Sequence, residues 1–257
     1  MSLLTGLESH WKLNEAASID NAVDYGAAGN TLTEVNEPDP NVDIGGSRHV
    51  TLADNQYFTL ADNASVSTGN IAFTFAGHFK FEALTSETDL ITKRDQPVTG
   101  NVEYLMVANP TKFAWGTGDA VGGLDAITST DLDIVTGTLY LVFAWHDPAT
   151  SKIYIQVFGG SNTAVIDSVT RVTIPANGTA PLRLSNGTSL GLTGLMSKIS
   201  FWKRVLTDAE RIWLWNSGAL RDFSEFASSP SSGAGGPSPY FTRRANSMSG
   251  GLITMGI

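Results

Sequence analysis

Apolar residues alternate with other residues over long stretches of this chain, and this period of two most constrains its fold. Between Ile71 and Phe81 the odd positions carry Ile or Phe except at Gly77, and the even positions are small or polar. Successive side chains of a strand point to opposite faces, so this stretch predicts a long strand with one buried face. The range 139–157 repeats the pattern around an Asp-Pro turn signal, with apolar residues at Leu139, Leu141, Phe143, Trp145, Ile153, Ile155 and Val157. It predicts a hairpin.

Shorter apolar segments between turn residues predict further strands. The pairs Asn177-Gly178 and Asn186-Gly187 supply residues that tolerate positive φ. The segments are SHWKL, HVTL, QYFTL, DLITK, EYLMV, KFAWG, TRVTI, APLRL and SKISFW. About a dozen strands of this kind predict an all-β fold, a two-sheet antiparallel jelly-roll sandwich. We expect Phe73, Phe75 and Phe143 in the core between its sheets.

One short helix is predicted near the end of the sandwich. Thr207 and Glu210 have the spacing of a capping box, in which each side chain bonds the backbone N–H of the other residue. Gly218 stands where a left-handed cap would end the helix. The face predicted to be buried consists of Ala209, Ile212, Trp213 and Asn216.

The charge balance disfavours polyanionic partners. The chain has 16 Lys plus Arg against 25 Asp plus Glu, a formal charge of -9, so we expect neither nucleic acid nor a membrane surface as partner. Neutral glycans and other proteins remain compatible with this charge. No cysteine is present, so a disulfide framework is excluded. The first fifteen residues lack the basic and apolar regions of a Sec-type signal, and we expect synthesis in the cytoplasm without one.

Five segments in this order resemble the laminin-G-like, concanavalin A-like jelly-roll domain of the pentraxin type. They are HWKLNEA, DYGAAGNTLT, QYFTLADNASVSTGNIAFTFAGHFKF, LYLVFAWHDPATSKIYIQVFGG and GLMSKISFWKRVLTDAERIWLWNSG. The resemblance begins a few residues after the start of the sequence and ends at residue 222. We interpret residues 1–222 as one domain. It implies that the helix covers part of the sandwich, with Trp202, Trp213 and Trp215 as core and cover residues.

Catalysis by paired carboxylates, as glycosidases of this fold would require, has weak support in the sequence. The nearest pairs are Glu87 with Asp89 and Asp131 with Asp133, and neither has a third acid on the same face. We interpret them as solvated loop carboxylates. The four histidines lack the HxH and HExxH spacings of zinc sites. We therefore expect a protein that is not an enzyme.

The resemblance also implies a calcium ion at one edge of the sandwich. Asp24 matches the aspartate of the early D-x-G loop that helps to hold this ion in relatives. Where relatives have a second aspartate, this chain has Ser197, followed by Lys198. Calcium at Asp24 and a turn-forming role of Asp24 without any cofactor are both open interpretations.

Glycan binding needs an exposed aromatic side chain beside fixed polar groups. Tyr104 and Trp115, with the loop residues Asn109 and Asp119, are the candidates for such a site at one end of the sandwich. The alternative is that the two aromatic residues belong to the core.

Composition changes after residue 222. Residues 223–239 form a Ser/Gly/Pro-rich stretch predicted to be a linker, and residues 240–257 are either a docking peptide or a frayed terminus. The candidate anchoring residues of this peptide are Tyr240, Phe241, Arg243 and Arg244.

Two functions fit these observations. The first is a non-catalytic module that recognises a carbohydrate or cell surface, displayed on a virion or similar assembly. The second is a purely structural virion protein, anchored by its tail to other structural proteins. The resemblance extends to stand-alone proteins of bacterial viruses, which implies a location in the virion or outside the cell after lysis. Oligomeric contacts through edge strands are compatible with either function.

Overall fold

The computed structural model describes residues 2–17, 21–51, 53–95, 102–130, 133–161, 164–186 and 190–230. These residues form fifteen strands, one α-helix and three short 3-10 turns. The strands are β1 Leu7–Trp11, β2 Thr33–Val35, β3 Asp39–Asn41, β4 Ser47–Val50, β5 Tyr57–Leu60, β6 Phe73–Ala83, β7 Thr88–Arg94, β8 Val102–Ala108, β9 Phe113–Gly118, β10 Leu124–Thr128, β11 Leu139–Asp147, β12 Lys152–Phe158, β13 Ile166–Thr170, β14 Leu182–Leu184 and β15 Thr193–Trp202.

The strands are arranged in two antiparallel sheets. The eight-stranded sheet has the order β13-β12-β11-β6-β15-β4-β3, with β1 also paired to β15. The seven-stranded sheet has the order β10-β9-β8-β7-β14-β5-β2. Neighbours in space are often distant in sequence, as in a jelly roll. The predicted all-β, two-sheet sandwich is confirmed.

The core between the sheets is rich in aromatic side chains. Phe73, Phe75, Phe79 and Phe81 are fully buried on one face of β6, as the alternation predicted. Phe75 stacks on Phe201 of β15, with ring centroids 4.4 Å apart and planes inclined by 18°. Burying a side chain of this size contributes about 1.5–3 kcal/mol, so this row supplies much of the sandwich's stability.

The outer face of the eight-stranded sheet is also buried in its middle. Ala76 and His78 of β6 are buried there, although the alternation predicted an exposed polar face. Leu141, Phe143 and Trp145 of β11 pack on this outer face in a second core, so the prediction that Phe143 lies between the sheets is wrong. The residues of β11 that line the core between the sheets are Tyr140, Val142 and Ala144.

A helix and two 3-10 turns cover this second core. The helix α1, Asp208–Trp215, begins with the predicted capping box. The Thr207 hydroxyl accepts from the Glu210 backbone N–H, and the Glu210 carboxylate accepts from the Thr207 N–H at 2.8 Å. The helix ends at Asn216, whose φ of 46° gives the left-handed cap that was predicted at Gly218.

The helix buries a different face from the predicted one. Glu210, Arg211 and Leu214 are buried. Glu210 is paired with Arg204 at 2.7 Å, and the Arg211 guanidinium lies 4.3 Å from the centre of the Trp145 ring. At this contact an ion pair and a cation–π contact take the place of apolar packing. The spacing of apolar residues therefore could not predict which face of the helix is buried. The residues predicted to be buried are only partly so: Ala209, Ile212, Trp213 and Asn216.

The folded domain continues past residue 222, where the linker was predicted to begin. The 3-10 turns Asn216–Gly218 and Phe223–Ser228 follow the helix. Phe226 is 2% exposed, and the backbone N–H of Leu3 donates to the Ser229 hydroxyl at 2.7 Å. We refer to residues 208–228 as the cap. The anchoring residues predicted in the tail lie outside the described residues: Tyr240, Phe241, Arg243 and Arg244.

The three tryptophans of this region have the roles that the resemblance implied. Trp202 is fully buried, and Trp213 and Trp215 are half-buried against the same second core. No helix in the part of the chain that the structure describes is long and apolar enough to cross a membrane.

Candidate functional site

The two aromatic residues predicted to bind a glycan belong to the core. Tyr104 and Trp115 have no exposed surface, and both pack on Phe73 and Phe75. The Tyr104 hydroxyl donates to the backbone oxygen of Val66 at 3.0 Å. The prediction of an exposed aromatic surface at these residues is therefore wrong. An inward position on strands β8 and β9 decides their burial, because one face of each strand lines the core.

The two polar residues predicted beside them shape turns at opposite ends of β9. The Asn109 side chain accepts from the backbone N–H groups of Thr111 and Lys112 in the turn that precedes the strand. The Asp119 carboxylate accepts from those of Val121 and Gly123 after it. Because a six-residue strand separates the two turns by about 20 Å, the four predicted residues do not form one site.

The described carboxylates among those considered for catalysis lie in different surroundings. Asp89 is a buried residue of β7, not a solvated loop residue, and its carboxylate is 2.6 Å from the guanidinium of Arg94. Glu87 and Asp133 are exposed, and Asp131 lies outside the described residues. The Asp89 carboxylate is therefore one partner of a buried salt bridge.

Asp24 holds backbone rather than a metal ion. One carboxylate oxygen accepts from the N–H groups of His10 and Gly26 at 2.8 and 2.7 Å, and the other accepts from that of Asn30 at 2.7 Å. The Ser197 hydroxyl is likewise used, because it donates to a backbone carbonyl at 2.6 Å. Calcium prefers six to eight oxygen ligands, and the described residues contain no cluster of three potential metal-ligating side chains. The residues around Asp24 do not fit calcium.

A small cleft lies between the cap and the outer face of the eight-stranded sheet. We call it the cap cleft. Its polar lining consists of His10, His78, Lys198, Ser200 and Arg221, and its apolar lining of Ala76, Leu141, Trp202, Leu214 and Phe226. Its enclosed interior measures about 10 Å³, which is room for about one water-sized group. A few polar groups that converge in a mostly apolar concavity are typical of ligand sites.

A bulge in β15 directs Lys198 to this cleft. The pairing of β15 with β6 shifts register between Ser197 and Ser200, and Lys198 has a φ of 49°. A left-handed conformation costs a residue with a side chain roughly 1–2 kcal/mol. The Lys198 ammonium donates to the backbone oxygen of Arg221 at 2.9 Å, which connects the bulge to the cap.

Two neutral histidines stand in the cleft. Burial, followed by the positive charges of Lys12 and Lys198, lowers the pKa of His10 to about 3. Burial and Lys198 lower the pKa of His78 to about 3 as well. His10 Nδ1 lies 2.7 Å from the Ser200 hydroxyl, whereas its Nε2 has no hydrogen-bond partner. Neither ring nitrogen of His78 makes a well-aligned hydrogen bond, although the Ser197 backbone lies beside it.

An exposed aromatic side chain lies next to the cleft. Tyr25 is 41% exposed, and its ring centroid is 5.8 Å from that of Phe223. Phe223 in turn stacks on His10 at 5.0 Å, so an unbroken row of rings runs from the surface to the cleft. The Lys12 ammonium lies 4.1 Å from the centre of the Tyr25 ring. The sequence did not single out Tyr25 as a candidate for glycan binding, although Tyr25 directly follows Asp24 in the D-x-G loop.

A second surface of interest is aliphatic. Val121, Val172 and Ile174 are 90%, 88% and 70% exposed. They belong to two adjacent loops at one end of the sandwich, which the Asp125 carboxylate holds together by accepting from the backbone N–H groups of Val172 and Thr173. Exposed apolar groups on fixed loops are typical of protein contacts.

The fold defines the class of this protein: a jelly-roll domain with a helical cap on the outer face of one sheet. Residues 52–210 match the laminin G family described as the concanavalin A-like lectin/glucanases superfamily. The chain belongs to this superfamily. No curated protein sequence matches the chain.

Solved structures show the same fold at low sequence identity. The binding domain of Paraclostridial Mosquitocidal Protein 1 superposes with a TM-score of 0.68 and 15% identity, over 89% of this chain and 56% of that one. Binding domains of Botulinum neurotoxin DC, in complex with SialylT and with rat synaptotagmin II, superpose with a TM-score of 0.63 at 11% and 10% identity. Each match covers 84% of this chain and 52% of the other. This chain thus spans little more than half the length of these proteins.

Proposed function

We propose that this protein is a non-catalytic binding module that recognises a carbohydrate of a cell surface through the cap cleft. The observation that carries the proposal is Tyr25, an exposed ring connected through Phe223 to a cleft of fixed polar groups. A sugar ring can stack on the tyrosine while its hydroxyl groups bond polar groups beside the ring, such as the Lys12 ammonium 4.1 Å from the ring centre.

The comparisons support a binding role in two ways. The superfamily to which the chain belongs is named for lectins as well as glucanases. The solved structures with this fold are titled binding domains, one in complex with SialylT and another with a synaptotagmin. Fold alone does not fix function, so the site has to be tested directly.

Binding to a glycan array tests the proposal. We expect the wild-type protein to bind a subset of glycans, and Tyr25→Ala to weaken that binding at least about tenfold, equivalent to 1.4 kcal/mol. Tyr57→Ala is the matched control, because Tyr57 is a half-buried tyrosine of the other sheet. Equal binding by both variants would place the site elsewhere, and no binding by the wild type to any glycan would reject the module itself.

Binding without cleavage is part of the same proposal. The salt bridge between Asp89 and Arg94 supports it, because a paired buried carboxylate is a poor proton donor or nucleophile. Incubation of the protein with each glycan that it binds should release no reducing ends. Release that Asp89→Asn abolishes would show a hydrolase.

We also propose display of the module on a virion or similar assembly. The alternative, a purely structural virion protein, is supported by the exposed Val121, Val172 and Ile174, which suit contacts with another protein. Replacement of all three by Ser should preserve glycan binding and, if the role is structural, prevent incorporation into the particle. Removal of residues 231–257 tests the proposed tail anchor by the same readout.

A further inference from the structure

Two histidines of the outer sheet face are buried beneath the cap, where a protonated ring would be costly. His10 of β1 and His78 of β6 are buried, and both line the cap cleft. The interior of the cleft measures about 10 Å³, and its lining among the described residues includes no carboxylate. An imidazolium beneath the closed cap would therefore lack both bulk water and a counter-ion in contact with it.

Burial is the main obstacle to protonation of both rings, and neighbouring charges are of secondary importance. The pKa of His10 is lowered by burial and then by Lys12 and Lys198, while Asp222 opposes this shift. The pKa of His78 is lowered by burial, then by Lys198 and by His10 itself. Two imidazolium rings in this space would thus also repel each other.

The other charged side chains of the cap are engaged in ion pairs. These pairs are Arg221 with Glu225, Arg204 with Glu210 and Arg211 with Asp208. Asp222 and Glu225 offset part of the effect of burial on the pKa of Lys198. The strand β11 contributes the apolar Leu141 to the cleft. The closed cap therefore disfavours protonation chiefly because it keeps water from the two rings.

Opening of the cap would give both histidines access to water. The ring of His10 is covered by two rings of the cap, Phe223 at 5.0 Å and Phe226 at 5.1 Å. His78 lines the same cleft, so the same movement uncovers it. Both histidines lie on the outer face of the sheet, so the core between the sheets can stay closed while they take up protons.

His146 senses a different event. Burial lowers its pKa to about 4, but its ring lies 5.6 Å from that of Phe73 in the core between the sheets. Its Nδ1 atom is 2.6 Å from the backbone oxygen of Ile71. Proton uptake by His146 is therefore linked to opening of the sandwich, and proton uptake by His10 and His78 to opening of the cap.

The cap is small enough to lose its structure once it leaves the sheet. Its helix α1 has eight residues, and isolated helices shorter than about 12–15 residues are marginal in water. Segments of this kind open with a smaller free energy than the whole domain. The amide groups of a detached helix would exchange with solvent, which makes opening measurable.

We propose that the cap is an acid-operated lid: protonation of His10 and His78 opens residues 208–228 while the two sheets remain packed. Opening exposes the second core, which includes Trp145 and Trp202. Each histidine favours the open state about tenfold per pH unit below 6.5, so the two together raise the opening equilibrium about a thousandfold at pH 5. The lid goes beyond the proposed function, because it does not depend on glycan binding.

Hydrogen exchange of the full chain at pH 7.5 and 5.0 tests the lid, with rates corrected for the intrinsic effect of pH on exchange. We expect the protection of residues 208–228 to fall about a thousandfold between these pH values. Exchange of the cap should respond little to low concentrations of urea, because local opening exposes little surface, whereas exchange of β7 to β9 should accelerate steeply. An identical urea response of both segments, or cap protection that does not change with pH, would overturn the lid.

His78→Leu and His146→Leu form a matched pair, because each removes a buried imidazole of lowered pKa and the first of them lies beneath the cap. His78→Leu should reduce the acid response of the cap to about thirtyfold, and His146→Leu should leave it at about a thousandfold. A response reduced equally in both variants, or in neither, would contradict the proposal. The urea comparison in the wild-type protein decides the question even if a variant fails to fold.

Discussion

The imidazole of His10 stacks on the ring of Phe223, with centroids 5.0 Å apart and planes inclined by 20°. This contact joins the first strand of the domain to the turn that follows its helix. Phe226 meets the other side of the junction, with its ring 5.1 Å from His10, and the Trp202 indole donates to the backbone oxygen of Leu3 at 2.7 Å. The two ends of the domain thus close on one another, and the cap is an integral layer of the fold.

Phe226→Ala should loosen the cap while leaving the sandwich folded. The ring is 2% exposed and contacts His10, Trp202 and Phe223, so its loss should cost about 3–5 kcal/mol. Hydrogen exchange of residues 208–228 should accelerate more than that of β7 to β9. Val42→Ala is the control, because Val42 is 96% exposed and should change stability by less than about 0.5 kcal/mol. Equal acceleration throughout the chain would show that the cap does not open separately.

Acidification should destabilise the protein well above pH 4. Burial holds the pKa of His10 and that of His78 at about 3, below the value of 6.5 for an unfolded chain. Below pH 6.5 the unfolded state therefore binds protons that the folded state excludes, and stability falls until the pH reaches about 3. Each of these two histidines should cost about 1.4 kcal/mol per pH unit, or about 4 kcal/mol for the two together at pH 5. His146 adds to the loss, because burial lowers its pKa to about 4.

Urea unfolding at pH 7.5 and 5.0 measures this loss. His78→Leu should remove about a third of the pH dependence, because leucine has no proton to bind in either state and His10 and His146 keep their lowered pKa values. If the free energy of unfolding of His78→Leu depends on pH as strongly as that of the wild type, a group other than His78 takes up the proton.

The capping box should account for a measurable part of the stability of the cap. Thr207→Ala removes the acceptor for the Glu210 N–H and should cost about 1 kcal/mol, whereas Thr207→Ser keeps the hydroxyl and should remain within a few tenths of the wild type. Thermal unfolding followed by circular dichroism distinguishes them. Equal losses in both variants would assign the effect to the threonine methyl group instead.

Sequence periodicity and capping motifs predicted the strands and the start of the helix. The alternation of β6 and the capping box at Thr207 were found because strand faces and helix starts repeat at fixed spacing. The same rule misplaced Phe143, because it gives the two faces of a strand but not what covers each. In β11 the cap covers Leu141, Phe143 and Trp145, whereas Tyr140, Val142 and Ala144 line the core between the sheets.

The residues of the candidate site could not be predicted from local sequence patterns. His10, His78 and Lys198 come from three strands that are distant in the sequence, and only the sheet order β6-β15-β1 brings them together. Tyr104 and Trp115 were chosen as aromatic residues near loops, and composition cannot separate an inward ring from an outward one. The bulge that directs Lys198 to the cleft has no mark in the sequence.

The buried ion pair between Lys93 and Glu103 should be the most sensitive electrostatic element of the domain. Both side chains are fully buried, the charged atoms are 2.5 Å apart, and the Lys93 ammonium also contacts Asp62 at 2.8 Å. Lys93→Met would leave the Glu103 carboxylate buried without its cation, so it should cost about 3–5 kcal/mol in urea unfolding. Lys80 and Asp43 form the matched control, since this pair has the same 2.5 Å separation but a partly exposed lysine and an exposed aspartate.

Lys80→Met should therefore cost less than about 1 kcal/mol, because solvent screens the exposed pair. The double variant Lys93→Met with Glu103→Gln should recover part of the loss, since it no longer buries an uncompensated charge. Distance is equal in the two pairs, so the expected difference comes from burial and from the additional contacts of Lys93 with Asp62 and the Gly178 carbonyl. Similar small losses for Lys93→Met and Lys80→Met would mean that water reaches Glu103 once the lysine is removed.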